Sequence, residues 1–297
     1  MKNSFVTLIF FIIVLCVCSD SGKRDDLKVM TFNIRYGTAE DGANSWEFRK
    51  TALLKLIQVY QPDILGTQEA LEFQIAAIRA ACPQYGVFGI GRYQGIELPD
   101  RPHESLDGES CRIFYDSTKF LLLQQGTFWH SDTPEIAGSM NWGNTLPRIT
   151  TWGILQSRKT SQQWVVMNTH YHWDEPYVTN ATKLILQRQA TIAGKLPTIL
   201  MGDFNLSPAA TSHDLLCGQT KWDSLTGPFR DTWRARKKSE THAGTYHGFK
   251  GDSSGDRIDW ILVTNEVGIK DIRILHDRWE GHYPSDHFPV LAVLQLK

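Results

Sequence analysis

Six times along this chain of 297 residues, an apolar, β-branched or aromatic run ends or begins beside a side chain able to hold a metal or move a proton. Leu27-Lys28-Val29-Met30-Thr31-Phe32 runs into Asn33, and Asp63-Ile64-Leu65-Gly66-Thr67-Gln68 into Glu69. Trp164-Val165-Val166-Met167-Asn168-Thr169 runs into His170, and Thr198-Ile199-Leu200-Met201-Gly202 into Asp203-Phe204-Asn205. Arg257-Ile258-Asp259 opens the run Trp260 to Val263, and Ser285-Asp286-His287 precedes the last run, Phe288 to Leu296. Their lengths, β-branched content and Gly, Pro and Asn punctuation predict strands.

Helical periodicity is confined to Trp46 to Tyr60, where Leu53, Leu54, Ile57 and Tyr60 share a face, and to Leu71 to Ala81 and Tyr177 to Ala193. Many strands with few helices predict two packed sheets with helices outside. No internal repeat and no domain linker stands out, so 27–297 reads as one domain. The irregular stretch Tyr93 to Gly108 reads as a loop over a site. The apolar fraction of 41% suits a packed core, and a net charge of -1 excludes a strongly basic nucleic-acid coat. A local basic groove is still compatible with that total.

The N-terminus reads as an address. Lys2 precedes an uncharged apolar run, Phe5 to Val17, too short to span a bilayer comfortably and of signal-peptide length. Leu15-Cys16-Val17-Cys18 loosely resembles a bacterial lipobox. The expectation is a signal peptide over 1–17, lipidation at Cys18 and a tether over 18–26, with a cleaved soluble form as the alternative. The other cysteines, Cys82, Cys111 and Cys217, are odd in number and lack CxxC spacing, which predicts buried hydrophobes rather than disulfides or zinc ligands.

A single strand-terminal Asp is ordinarily a turn former. Acids gathered at the ends of several strands are different, because carboxylates in one place repel unless a cation neutralises them. Oxygen donors select a hard ion, Mg²⁺ or Mn²⁺. Such an ion beside His/Asp pairs suits phosphoester hydrolysis by in-line displacement.

Met30-Thr31-Phe32-Asn33, Gly66-Thr67-Gln68-Glu69, Asn168-Thr169-His170, Gly202-Asp203-Phe204-Asn205, Arg257-Ile258-Asp259 and Ser285-Asp286-His287 occur in the order that resembles the endonuclease/exonuclease/phosphatase superfamily. Further stretches, among them Trp46-Glu47-Phe48-Arg49, Leu146-Pro147-Arg148-Ile149, Asp231-Thr232-Trp233-Arg234 and Gly244-Thr245-Tyr246-His247, look like an exported bacterial branch of it. The resemblance implies a four-layer α/β/β/α sandwich of deoxyribonuclease I-like type, with two mainly antiparallel sheets. It implies Glu69 as main metal ligand, with Asn33 and Asp286 completing or adjoining the shell. Asp203 and Asn205 would orient the attacking water and the phosphate. Asp259 or Asp286 would lock the tautomer of His287, and Glu109 would pair with His170, which stabilises the transition state. Glu104 is a rival to Glu109, and either Asp203 or His287 takes the proton from water.

His170-Tyr171-His172-Trp173-Asp174 also fits the start of an HxHxD dinuclear zinc motif, but the next residue is Glu175 rather than His, and GDFN and SDH would be left unexplained. Arg148 is a candidate phosphate ligand or a solvated edge residue, and His247 a substrate contact or a loop turn. Trp46, Trp142 and Trp173 are candidate stacking residues or packing. The basic run Arg234 to Lys238 reads as a solvated helix end. The expected protein is an exported, monomeric, Mg²⁺- or Mn²⁺-dependent phosphoester hydrolase, touching membrane only through its anchor. A nuclease or other phosphodiesterase leads. The alternatives are a phosphomonoesterase on a sugar, lipid or inositol phosphate, and a non-catalytic binding module.

Overall fold

Period-2 alternation sends the odd-numbered residues of the first strand, Val29, Thr31 and Asn33, to one face and Met30 and Phe32 to the other. In the computed structural model, which describes residues 26–94 and 107–296, the first face meets a second sheet and the other is covered by helices. The signal and anchor expectations, and Glu104, lie outside the described residues. Among the described residues, no helix is long and apolar enough to cross a membrane.

The first sheet contains β1 (Leu27–Asn33), β2 (Ile64–Ala70), β3 (Tyr85–Phe88), β4 (Ser110–Asp116), β11 (Val267–Ile274) and β12 (Val290–Leu296), in the order β11-β12-β1-β2-β4-β3. The second contains β5 (Phe120–Trp129), β6 (Ile149–Ser157), β7 (Gln163–His170), β8 (Thr198–Asp203), β9 (Phe229–Asp231) and β10 (Asp259–Thr264), in the order β5-β6-β7-β8-β10-β9. Each sheet has one parallel pair, β1 with β2 and β7 with β8. The crossovers are α1 (Trp46–Tyr60) and α3 (Tyr177–Ala193), and α2 (Glu72–Ala81), α4 (Thr211–Leu216) and α5 (Thr232–Ala235) complete the helices named here. This is the expected four-layer sandwich.

Position by position the two sheets follow one plan: a hairpin, a parallel pair joined by a helix, then an antiparallel pair. The sequence shows no repeat because strand pairing is made by backbone groups, which do not require matching side chains.

Three apolar layers hold the sandwich. Val29, Ile64, Val166, Ile199, Met201, Ile261 and Val290 fill the space between the sheets. Leu53, Leu56, Ile57 and Ile78 seal α1 and α2 onto Met30, Phe32 and Phe114. Val178, Ala181, Ile185 and Leu186 seal α3 onto Met167 and Leu200. The buried stripe of α1 also contains Trp46 and Arg49, so Trp46 is packing rather than a loop platform. Cys82 and Cys111 are buried and free, whereas Cys217 is half-buried. Helix α5 ends just before Arg236, so the basic run Arg234 to Lys238 does follow a helix end.

Two glycines sit where an added Cβ would collide with a neighbouring strand or sheet. A Cβ on Gly66 would stand 2.6 Å from Met201 Cε, where the sheets touch. A Cβ on Gly202, whose φ is +155°, would stand 2.1 Å from the Thr169 carbonyl oxygen of neighbouring β7. Gly202→Ala must therefore part β7 from β8 next to His170 and Asp203. Its expected cost is about 2 kcal/mol or more in urea unfolding, as for overpacked sites.

Behind β10, buried Asp231 accepts from Arg257 Nη2 at 2.6 Å, caps α5 through the Trp233 N–H at 2.8 Å, and lies 3.0 Å from His213 Nε2. Burial alone would raise its pKa, but the His213 and Arg257 contacts outweigh burial and hold it down at about 2. A depressed carboxylate contributes stability above its unfolded pKa near 4, lost as pH falls through about 2. Asp231→Asn should cost about 3 kcal/mol at pH 7. Urea titrations should show the gap from wild type narrowing below pH ~4.

Candidate active site

The strand ends that the motifs mark gather at one rim of the sandwich. The inward face that carries Val29 and Thr31 ends in Asn33, the one that carries Ile199 and Met201 ends in Asp203, and Ile261 and Val263 follow Asp259 on the same face. Parallel pairing sets His170 beside Asp203, and antiparallel pairing sets Asp259 opposite Asp203. Glu69 reaches the rim differently. It sits at the register break between Thr67 and Ala70 with φ +60°, an irregularity that re-aims the side chain.

Below the rim, a polar layer crosses the gap between sheets. Gln68 Nε2 donates to Thr31 Oγ1 at 3.0 Å and to Asn168 Oδ1 at 2.6 Å. Asn168 Nδ2 donates to the carbonyls of Thr67 and Arg112, each at 2.9 Å. These amide bonds fix the sheets in register where a purely apolar contact would allow sliding.

At the rim, Asn33 Nδ2 donates to Glu69 Oε1 at 3.0 Å and to Asp203 Oδ2 at 2.9 Å, joining carboxylates from opposite sheets. Glu69 Oε2 accepts the Tyr36 N–H at 3.0 Å. The 35–37 loop that presents Tyr36 is held by buried Gln74, whose amide donates to the Arg35 carbonyl and accepts from Gly37 N, both at 2.9 Å. Asp203 Oδ1 accepts the Asn205 N–H at 2.9 Å, and Asn205 Nδ2 lies 3.1 Å from His170 Nε2.

Two clusters share this rim: Glu69, Glu109 and His170, and Asp203, Asp259 and His287. In each, the nearest ligand atoms lie within 4.8 Å of one another. Each cluster draws two acids from strands of one sheet or the residue just before one, and its imidazole from the other sheet or the approach to it. Glu109 is ion-paired with buried Arg92 at 2.8 Å. His287 Nδ1 lies 2.9 Å from Asp259 Oδ2, and its Nε2 lies 3.8 Å from Asp203 Oδ2. Asp286 accepts the Ser285 hydroxyl at 3.1 Å and lies 3.8 Å from Arg35 Nε.

Burial opposes charge on His287, but Asp259 and Asp203 beside it push its pKa up to about 10. Burial and neighbouring Asp259 raise Asp203 to about 7, with His287 and the Asn33 amide opposing. Burial, with Arg148 and His287 adding to it, holds His170 well below the usual imidazole range. One ring is thus a standing cation and the other a neutral group.

The donor set fits a divalent cation. Burial, with the Glu69 carboxylate adding to it, raises the pKa of Asp286, which is the repulsion a cation would relieve. Both groups offer oxygen, the donor of hard ions. Asp259 Oδ1 is buried without a hydrogen-bond partner. Asn33 lies among these acids, with its Oδ1 accepting the Arg35 N–H at 3.0 Å.

Arg148 is buried, with Nε unpartnered and no ion pair among the described residues. It lines a cleft with Glu69, Arg92, Glu109 and His170. His247 differs: its ring stacks on Phe288 with centroids 3.9 Å apart, and its Nδ1 accepts the Gly251 N–H. Its backbone N–H donates to the Asp286 carbonyl at 2.8 Å, and its Nε2 is buried without a hydrogen-bond partner. His172 Nε2 is 3.3 Å from Asp174 Oδ2, and no zinc-type cluster with His170 forms among the described residues.

Sequence reasoning missed Arg49, Gln74, Arg92, Thr245 and Ser285. Thr245 Oγ1 accepts the N–H groups of Ile258 and Asp259, at 3.0 and 3.1 Å, steadying the start of β10. The only sequence signal was that Arg49, Thr245 and Ser285 fall inside quoted motifs.

The description of the matching family model, covering residues 30–287, is Endonuclease/Exonuclease/phosphatase family. A solved Bacteroides vulgatus endonuclease/exonuclease/phosphatase is 30% identical, with TM-score 0.81, covering 92% of this chain and 100% of that one. A mannosyl-6-phosphatase of Bacteroides thetaiotaomicron is 29% identical, with TM-score 0.79, over 90% of this chain and 99% of that one. The CCR4-Not complex 3'-5'-exoribonuclease subunit Ccr4 of Mycosarcoma maydis is 22% identical over 94% of this chain and 52% of its own length. The chain thus spans about half the length of the curated relatives it matches. With the motifs, the two-sheet fold and the rim geometry in agreement, the chain belongs to the endonuclease/exonuclease/phosphatase family.

Proposed function

We propose that the chain is a divalent-cation-dependent phosphoester hydrolase. The observation that carries this reading is the rim itself, where two acid and imidazole clusters meet beside a buried guanidinium that lacks an ion-pair partner. Enzymes of this family depend on a divalent metal. Glu69 and Asp286 would hold it with Asn33 alongside, and when bound it neutralises charge on the phosphoryl oxygens. We favour Mg²⁺ or Mn²⁺ because the donors are oxygens.

The protein's own groups divide the remaining work. Asp203, with its pKa near 7, accepts the proton of the attacking water at Oδ2, while the Asn205 N–H pins its other oxygen. His287 is charged at neutral pH, so its Nε2 donates to a phosphoryl or leaving oxygen rather than acting as base. Asp259 keeps that ring charged and oriented. Neutral His170 and the Asn205 amide face the same phosphate. Arg148 offers a planar fork for two of its oxygens.

Two substrate classes follow. The exoribonuclease relatives support a phosphodiester, including nucleic acid. A phosphomonoester, such as a sugar phosphate, is favoured by the mannosyl-6-phosphatase relative. The net charge of -1 gives little general attraction for a polyanion. Hydrolysis of plasmid DNA, RNA, a chromogenic diester and a sugar-phosphate panel should be abolished by EDTA and restored by Mg²⁺ or Mn²⁺. Glu69→Ala and His287→Ala should each fall by at least ~10²-fold. Full activity in either variant would remove that residue's role, and a monoester-only profile would select the second reading.

We also infer export of a monomeric enzyme tethered to membrane through Cys18, from the apolar run Phe5 to Val17 and the cysteine after it. Cys18→Ser should move the protein from the membrane to the soluble fraction, and unchanged retention on fractionation defeats the tether alone.

A further inference from the structure

Arg49 is a fully buried cation on the apolar stripe of α1. It makes no ion pair among the described residues, and its Nε is buried without a hydrogen-bond partner. Its Nη1 donates to the carbonyls of Ile34 at 2.7 Å and Pro284 at 3.0 Å, and its Nη2 to the carbonyl of Arg35 at 2.8 Å. Burial pushes its pKa down to about 10, opposed by the fields of Asp286, Asp41 and Glu69, so it remains charged at neutral pH. A buried charge held by three carbonyls and the Trp46 ring, 5.3 Å from the guanidinium carbon, is still costly, and packing alone would be served better by leucine.

What the fork joins accounts for it. Ile34 and Arg35 directly follow Asn33, and Pro284 comes two residues before Asp286. Arg49 itself lies 235 residues from Pro284 in sequence. A second tie runs beside it, because the Ser285 hydroxyl is 2.7 Å from the Asn33 carbonyl oxygen. We propose that Arg49 is a positioning residue for the divalent-cation site: its guanidinium fixes the Asn33 segment against the Asp286 segment, so that Glu69 and Asp286 are in place before the cation arrives. Lysine keeps the charge but has no planar fork to span three carbonyls. The inference rests on the reading above that Glu69 and Asp286 hold the cation.

The test titrates Mn²⁺ calorimetrically into the full metal-free chain without substrate, for wild type, Arg49→Lys, Ser285→Ala, Glu69→Gln and, as a control, Phe48→Ala on the exposed side of α1. Arg49→Lys should bind at least ~10-fold more weakly, the usual scale for groups that orient metal ligands. Ser285→Ala should weaken binding by a smaller factor, and Phe48→Ala should match wild type. Excess cation should restore Arg49→Lys activity toward wild type, which simple loss of folded protein would not allow. Wild-type affinity in an Arg49→Lys protein that melts cooperatively overturns the proposal. Should that variant fail to melt cooperatively, Ser285→Ala decides, and wild-type affinity there overturns it equally. Wild-type affinity in Glu69→Gln instead defeats the cation-site reading.

Discussion

One amide holds the rim together. Asn33 bridges Glu69, on its own sheet, and Asp203, on the facing sheet, 170 residues along the chain. Two buried or half-buried carboxylates brought this close would repel, and each would be left short of donors. The shared NH₂ supplies both donors from a neutral group. It can do so only if the sheets stand at a fixed spacing and register, so the rim depends on the layer beneath it. There the Gln68 and Asn168 amides cross the gap and Gly66 lets the sheets touch.

The common plan of the two sheets explains why chemistry collects at this edge. β1 and β7 end in Asn33 and His170, and β2 and β8 end near Glu69 and in Asp203. Glu109 and Asp259 stand at the starts of β4 and β10. Matched ends face one another across the sandwich, so each acid pair finds an imidazole from the other side. Identical architecture then yields unlike electrostatics. His287, between two acids, is driven to the charged form, whereas burial, with Arg148 adding to it, holds His170 well below the usual imidazole range. The phosphoester hydrolysis proposed above would use such division of labour between a donor and groups that orient without competing for the proton.

Supporting residues act mostly through backbone. Arg49, Gln74, Ser285 and Thr245 each bond main-chain atoms of the segments that carry the acids and imidazoles. Side chains on loops would otherwise drift by more than catalysis tolerates, and locking the backbone is the direct remedy. His247 belongs with this group: its ring anchors a turn, and its main chain meets Asp286.

The sequence alone determined the motif-bearing strand ends, the three main helices and the alternation that points Asn33, Asp203 and Asp259 inward, because these follow from local periodicity and turn chemistry. It also placed Glu69 after an apolar run, though not the backbone irregularity that turns its carboxylate to the rim. Tertiary structure decided which acid meets which imidazole, the pairing of Glu109 with Arg92, and the burial of Arg49 and Arg148. Those outcomes depend on contacts between segments up to 235 residues apart. An arginine on a helix reads the same from sequence whether water or three carbonyl oxygens receive it. Only the packing of the two sheets settles which.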